Sequence, residues 1–398
     1  MLAMVVAAWF IFGGMVIALY SWRQIIAAWL EPVLSRPVMI LESDDWGAGP
    51  VEQGEVLDAI ARLLSGFKDC GGRRPVMTLG IILATADGEK IGTTGSYHRR
   101  QLSVNTHGPL LDAINKGVES GVFDVQLHGM EHFWPPALLA ASKIDESVNA
   151  WLQHAPDALT EDLPSPLQSR WVDASTLPAR SLSRVDVQEA VHNEVAEFRR
   201  IFSRSPRVAV PPTFVWTDDV EQAWSKEGIG VVVTPGWRYE TRDGSGKPVA
   251  VGKPIYNGKT GNNGIVFVVR NIYFEPALGH TAARAQAALA SKTELGQPAL
   301  FEIHRFNFLA VNGGLRQSLE QVSALLQGAL AAHPSLAFLS TERLAGILKT
   351  HDPEWIEQRL SRRLHVWLTR LRQFSRLHKL AWLTGWILPA YLLWKLTA

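Results

Sequence analysis

Val38-Met39-Ile40-Leu41-Glu42-Ser43-Asp44-Asp45-Trp46-Gly47 runs four apolar residues into a pair of adjacent carboxylates and a glycine. A short apolar run bounded by turn residues reads as a buried strand. Two more segments repeat the pattern. Val122-Phe123-Asp124-Val125-Gln126-Leu127 leads into His128-Gly129-Met130-Glu131-His132, and Ala299-Leu300-Phe301-Glu302-Ile303 leads into His304. Polar residues just past the C-terminal ends of strands are where (β/α) barrels keep their chemistry.

Around these three segments the sequence alternates. Candidate strands are 37–43, 76–82, 122–127, 207–211, 229–234, 265–270, 299–303 and 336–339. Candidate helices lie between them, at 54–67, with helical spacing of Val56, Leu57, Ile60, Leu63 and Leu64, and near 109–119, 186–202, 218–227, 280–291, 315–331 and 341–350. Such alternation implies parallel strands with crossover helices, and about eight units fit one α/β (β/α) barrel. The stretch 134–185 is rich in Pro, Ser, Ala and Asp and reads as an excursion over the barrel mouth.

A chain of 398 residues can bury a large core, and its net charge of +1 gives no global electrostatic call for nucleic acid. The lone Cys70 excludes an intramolecular disulfide and a cysteine-based zinc site. Fifteen Trp suit sugar stacking and membrane interfaces, although most such rings pack in cores.

Both ends are membrane-seeking. Leu2–Tyr20 carries no charge, is long enough for a transmembrane helix, and lacks the basic start and cleavage site of a signal peptide. Ile356, Leu360, Leu364, Trp367, Leu371 and Phe374 recur at steps of three and four, among Arg359, Arg362, Arg363, Arg370, Arg372, Arg376 and Lys379. Leu380–Trp394 is then uncharged, rich in Trp, and short for a span, so it is expected to dip into one leaflet. The division expected is an anchor at 1–30, a barrel at 31–350 and a basic amphipathic helix with an apolar segment at 351–398. Basic residues flanking both apolar segments favour a barrel on the cytoplasmic face, a translocated domain being the alternative.

The strand-end residues make a plausible metal hydrolase. The four-residue spacing of His128 and His132 points both imidazoles one way, and Asp45 would complete a three-ligand catalytic site. A metal there lowers the pKa of water and polarises a carbonyl oxygen. Asp44 could serve as base and His304, from across the barrel, as acid.

These motifs resemble the polysaccharide deacetylase (NodB-homology) family of carbohydrate esterases, over roughly residues 37–345. In that family the first Asp of an Asp-Asp turn is the base and the second binds metal; here these are Asp44 and Asp45. Two metal-binding His stand four apart, here His128 and His132, and a late His is the acid, here His304. The resemblance implies a (β/α) barrel, a divalent metal (usually zinc), and hydrolysis of an N- or O-acyl group on a sugar. Two features depart from the pattern. The family's Arg shortly before a Pro is missing from Arg207-Val208-Ala209-Val210-Pro211-Pro212, with Arg270 as a candidate substitute, and Trp46 separates the Asp pair from Gly47. Trp46, Trp134, Arg270 and Arg305 are candidate saccharide contacts. With two membrane-seeking ends, the expected substrate is lipid-linked or a nascent envelope polysaccharide.

Three other readings stand beside this one. His128-x-x-Glu131-His132 matches the inverted zinc-peptidase motif, which needs a helix. A barrel glycosidase would recruit two carboxylates from Glu42, Glu275 and Glu302. A saccharide-binding relative would keep the barrel without turnover.

Overall fold

The computed structural model describes residues 1–155, 157–309 and 314–397. All eight expected strands form, as β1 (Val38–Gly47), β2 (Met77–Ile82), β3 (Phe123–Leu127), β4 (Val208–Ala209), β5 (Val231–Thr234), β6 (Val266–Val269), β8 (Ala299–His304) and β9 (Ala337–Phe338), with a short additional β7 (Ile272–Tyr273). They make one parallel sheet in the order β6-β5-β4-β3-β2-β1-β8-β7, with β9 paired to the base of β1. The two ends of that order are separated by only Arg270-Asn271, so the sheet wraps round on itself. Arg270 N–H donates to Thr234 O of β5, while Asn271 Oδ1 accepts from Leu300 N–H of β8. The fold is α/β, with a parallel barrel-like sheet.

Strand residues point alternately to the two faces of a sheet, and both faces are buried here. Val38 and Ile40 of β1 join Val208, Val210, Val231, Val233, Val268 and Leu300 in the barrel interior, which Leu344, Ile347 and Leu348 close from below. Met39 and Leu41 face the other way, into a larger core shared with the surrounding helices. Those helices are α2 (Gln53–Ser65), α3 (Val104–Glu119), α4 (Arg184–Phe202), α5 (Asp218–Lys226), α6 (Ala282–Glu294), α7 (Gly314–Ala332) and α8 (Thr341–Thr350), close to the expected ranges. Higher along β1 the inward positions are Glu42 and Asp44, so the interior turns from apolar to ionic towards the mouth.

The excursion has a core of its own. Phe133, Leu138, Val148, Trp151, Leu152, Leu163 and Leu167 cluster around the short helices Pro135–Ser142 and Glu146–His154.

The N-terminal helix α1 (Leu2–Leu30) contains a 27-residue segment, Met4–Leu30, long and apolar enough to cross a membrane, whose most apolar stretch has a mean hydropathy of 2.0 and is 11% buried. At the other end of the chain, α9 (Leu360–Leu371) leads into a hairpin of α10 (Ser375–Thr384) and α11 (Ile387–Leu396) that folds back along α1. Thr384 packs on Gly13, where a Cβ would stand 2.7 Å from Thr384 Cβ, and Trp386 donates its indole N–H to Phe10 O at 2.9 Å. α11 then returns, with Trp394 donating to Thr369 Oγ1 of α9. α10 thus packs along α1, and α11 runs back to α9.

Arg370 is only 4% exposed. Its guanidinium donates to Ala28 O, Glu31 O and Pro32 O at the end of α1 and to Leu295 O after α6. These are the carbonyls that a helix end leaves without partners. Among the arginines expected to face lipid, Arg370 instead ties α1 to the base of the barrel.

Candidate metal centre

At the mouth of the barrel, β1 departs from regular geometry. Its register against β2 shifts between Ser43 and Trp46, and Asp45 has φ +73°, a left-handed conformation that costs a non-glycine residue about 1–2 kcal/mol. In a regular strand Asp44 and Asp45 would face opposite sides. The bulge and the left-handed turn bring both carboxylates to the mouth.

His128 and His132 come from the turn after β3, opened by Gly129 at φ +107°. His128 Nδ1–H donates to Val210 O at 2.9 Å, which leaves Nε2 facing Asp45. Asp45 Oδ1 lies 3.3 Å from His128 Nε2 and 3.4 Å from His132 Nε2, and one ligand atom from each of the three residues falls within 4.8 Å of the others. All three residues are buried, and Asp45 Oδ1 has no hydrogen-bond partner among the described residues. Two imidazole nitrogens and a carboxylate oxygen converging on one point, with that oxygen unsatisfied, fit a divalent cation such as zinc. Burial pushes the His132 imidazolium down to about 4, against the pull of Asp45, so this ring is neutral and able to ligate at pH 7. Burial also raises the Asp45 carboxyl, but His132 and His128 outweigh it and hold that group well below the usual carboxylate range.

Asp44 stands beside this group, 4.0 Å from His128 Nε2. Arg270 grips its carboxylate through Nη1 and Nη2, the latter at 2.8 Å, and turns Nε to Glu42, which also accepts from the Thr341 hydroxyl. Burial raises Asp44, but the Arg270 guanidinium and His128 more than offset it, so its carboxyl stands at about 2 and is ionised. Arg270 therefore stands against Asp44, where a substitute for the missing motif arginine is expected to stand. It is not a saccharide contact, because it is 4% exposed and its donors are taken by Glu42 and Asp44. Gly80 makes room for the pair, since a Cβ there would overlap Asp44 Oδ1. Gly80→Ala is expected to push Asp44 off Arg270 and lower any hydrolytic turnover by about 10²-fold, the scale of a reacting group displaced by an ångström. Comparing kcat and the melting temperature of the variant checks this, because pure misfolding would lower both.

His304, at the end of β8, is paired in register with Asp44. Its Nδ1 is 2.6 Å from Glu275 Oε1, and its backbone N–H donates to Glu275 Oε2 at 3.2 Å. Burial disfavours the imidazolium, but Glu275 and then Asp45 more than compensate, raising His304 to about 10. Glu302, two residues earlier on the same face, lies 3.7 Å from both His304 Nε2 and Arg270 Nη1, and burial raises its carboxyl.

The structure thus brings Asp44, Asp45, His128, His132 and His304 to one place. Trp46 and Trp134 are not part of it. Trp46 is fully buried, donates to Ser43 Oγ at 2.8 Å and packs on Phe308, so it has no face for a sugar. Trp134 is half-buried and lines a different cavity, with Arg99 and Arg170. Arg305 lies under the mouth beside Glu161. The partners Glu275, Glu161 and Gly80 carry no spacing signal in the sequence.

The peptidase alternative is excluded by geometry. His128–Trp134 is not helical, and Glu131 is turned away into Arg170, Arg99 and Tyr97. Of the three glycosidase candidates, Glu42 and Glu275 are fully buried in the pairs above.

Three solved structures share the outline of the chain path. They are 4-alpha-glucanotransferase from Thermococcus litoralis (10% identity, TM-score 0.43, covering 78% of this chain and 40% of that one), peptidoglycan deacetylase PdaC from Bacillus subtilis (9%, 0.37, 80% and 95%), and a putative polysaccharide deacetylase from Mycobacterium smegmatis (10%, 0.39, 81% and 96%). This chain therefore spans well under half the length of the glucanotransferase. No curated protein matches the sequence. The family model that matches, over residues 61–295, is not that of the deacetylases the motifs resemble; it includes His128, His132, Arg270 and Glu275 and ends before His304. Since that match covers more than half of the chain, the protein belongs to Glycosyl hydrolase family 57.

Proposed function

We propose that the protein is a metal-dependent deacylase that removes an N- or O-acyl group, acetyl by preference, from a saccharide. The observation that carries this reading is the Asp45–His128–His132 triangle flanked by an ionised Asp44 on one side and a protonated His304 on the other. A divalent cation held by the triangle, zinc by the donor set, would supply Lewis-acid polarisation of the acyl oxygen and lower the pKa of water. Asp44, kept ionised and oriented by Arg270, takes the proton of the attacking water. His304, held by Glu275, delivers a proton to the departing amine or hydroxyl.

Family membership and the raised carboxyl of Glu302 favour a second reading, a glycosidase with Glu302 as acid and Asp44 as the ionised partner. That reading gives the two histidines and Asp45 no task. The deciding experiment measures metal content, acetate release and glycosidic cleavage on one preparation, before and after chelation and zinc reloading. Acetate release that follows zinc supports the deacylase. Cleavage that persists in chelator sinks it in favour of the glycosidase.

We further read residues 1–30 as a membrane anchor, 31–350 as the catalytic barrel and 351–398 as the hairpin that braces the anchor, with the barrel on the cytoplasmic face by the flanking charges. The mouth lies at the far end of β1 from α1, and ten strand residues span about 30 Å. That distance favours a polymer strand reaching away from the bilayer over a sugar seated at a lipid head group.

A further inference from the structure

Arg305 follows His304, and its backbone N–H donates to the carbonyl of Asp44 at 3.1 Å. The residue is 1% exposed, yet among the described residues neither Nε nor Nη1 of its guanidinium has a hydrogen-bond partner. Nη2 is 3.4 Å from Glu161 Oε2, and the other oxygen of that carboxylate, Oε1, is buried and likewise without a partner among the described residues. Buried polar groups are ordinarily satisfied, and a guanidinium with open donors beside a reaction centre is a receptor for an anion.

The two members of the pair differ in freedom. The Arg305 side chain is 1% exposed, whereas that of Glu161 is 22% exposed. Arg305 is walled in by the loop after the Asp pair, where a Cβ on Gly49 would stand 2.9 Å from Nη1. Glu161 belongs to the excursion, in the short turn Thr160–Asp162, and is close enough to Asp45 and His304 to feel both charges. A single long contact to Arg305, with its second carboxylate oxygen left unpartnered among the described residues, holds Glu161 loosely.

We propose that Arg305 binds an anionic group of the saccharide, a carboxylate or a phosphate, and that Glu161 fills this position until the substrate displaces it. The inference rests on the saccharide reading above and narrows it to acidic acylated sugars. A neutral sugar leaves the buried guanidinium without a counter-charge once Glu161 moves. An anion with several lone pairs takes the open donors and returns Glu161 to water.

The test is calorimetric titration of the full-length, zinc-loaded protein in detergent with N-acetylglucosamine, N-acetylmuramate and N-acetylglucosamine 6-phosphate. An acidic sugar is expected to bind at least about tenfold tighter than the neutral one. Glu161→Gln should tighten the acidic sugar several-fold further and leave the neutral sugar unchanged, while Arg305→Gln should erase the preference. Whether the carboxylate or the phosphate arm gains identifies the anion. Equal binding of all three sugars to wild type and to Glu161→Gln overturns the proposal, even if Arg305→Gln fails to fold. Titration reads binding without turnover, so zinc content and acetate release on the same samples report separately on the deacylase reading.

Discussion

Full-length protein carrying His128→Ala and His132→Ala is expected to lose stoichiometric zinc and at least about 10³-fold in acyl hydrolysis, the several kcal/mol that a Lewis acid contributes at a developing oxyanion. The two imidazoles supply two of the three ligand atoms, and Asp45 alone is too poor a site to retain zinc. The loss separates into two readouts. If the site takes zinc only when folded, zinc should raise the wild-type melting temperature in proportion to the logarithm of its concentration over Kd and leave the double variant unmoved. Asp45→Ala should behave alike towards zinc. The left-handed backbone at this position suits Asp better than Ala, so part of the stability cost of that variant is backbone strain. A double variant that keeps wild-type activity without zinc would remove the metal from the mechanism and leave Glu302 and Asp44 as the reacting pair.

Much of this centre was legible because apolar runs of strand length end in residues that have no structural reason to stand there. Val38–Leu41, Val122–Leu127 and Ala299–Ile303 each predict a strand, and a parallel barrel sends every strand's C-terminal end to the same mouth, so Asp44, His128 and His304 had to meet. The supporting shell was less legible. Glu275 reaches His304 only because the chain crosses from β6 to the edge of β8 at Arg270-Asn271, a closure that periodicity does not encode. Glu161 arrives from an excursion with no regular pattern. Trp46 misled because a Trp beside an Asp pair looks like a sugar platform, whereas the strand geometry buries it against Phe308. Arg370 sat among basic residues that suit a lipid surface, and nothing in its spacing marks it as the one that caps α1. The matching family differs from the one the motifs resemble, and its match over residues 61–295 leaves out both the Asp44-Asp45 turn and His304, so of the motif residues only the paired histidines are common to the two readings.

Glu275→Gln is expected to move the alkaline limb of the pH–rate profile down by about one unit or more, since a one-unit shift needs little over 1 kcal/mol of lost charge pairing. An acid catalyst works only while protonated, so activity falls as pH rises through its pKa. Burial works against the His304 proton, but with Asp45 unligated Glu275 and then Asp45 hold it to about 10, well above the ordinary 6.5, and a cation on Asp45 leaves Glu275 as the main support. The substituted amide keeps a hydrogen-bonding oxygen for Nδ1–H but removes the charge, leaving Asp45 and Glu302 to oppose burial. The same pairing carries a stability signature. A histidine raised in the folded state contributes stability that is fully present below its unfolded value, near 6.5, and is lost as pH rises towards about 10. The wild type should therefore lose melting temperature between those limits by more than Glu275→Gln does, and the two curves should approach each other on the alkaline side. His304→Ala supplies the reference. It is expected to lower turnover by roughly 10²–10⁴-fold at neutral pH and to abolish the alkaline limb altogether. If Glu275→Gln keeps the wild-type limb while melting at a lower temperature, Glu275 merely braces the end of β8, and the proton that leaves with the sugar comes from another group.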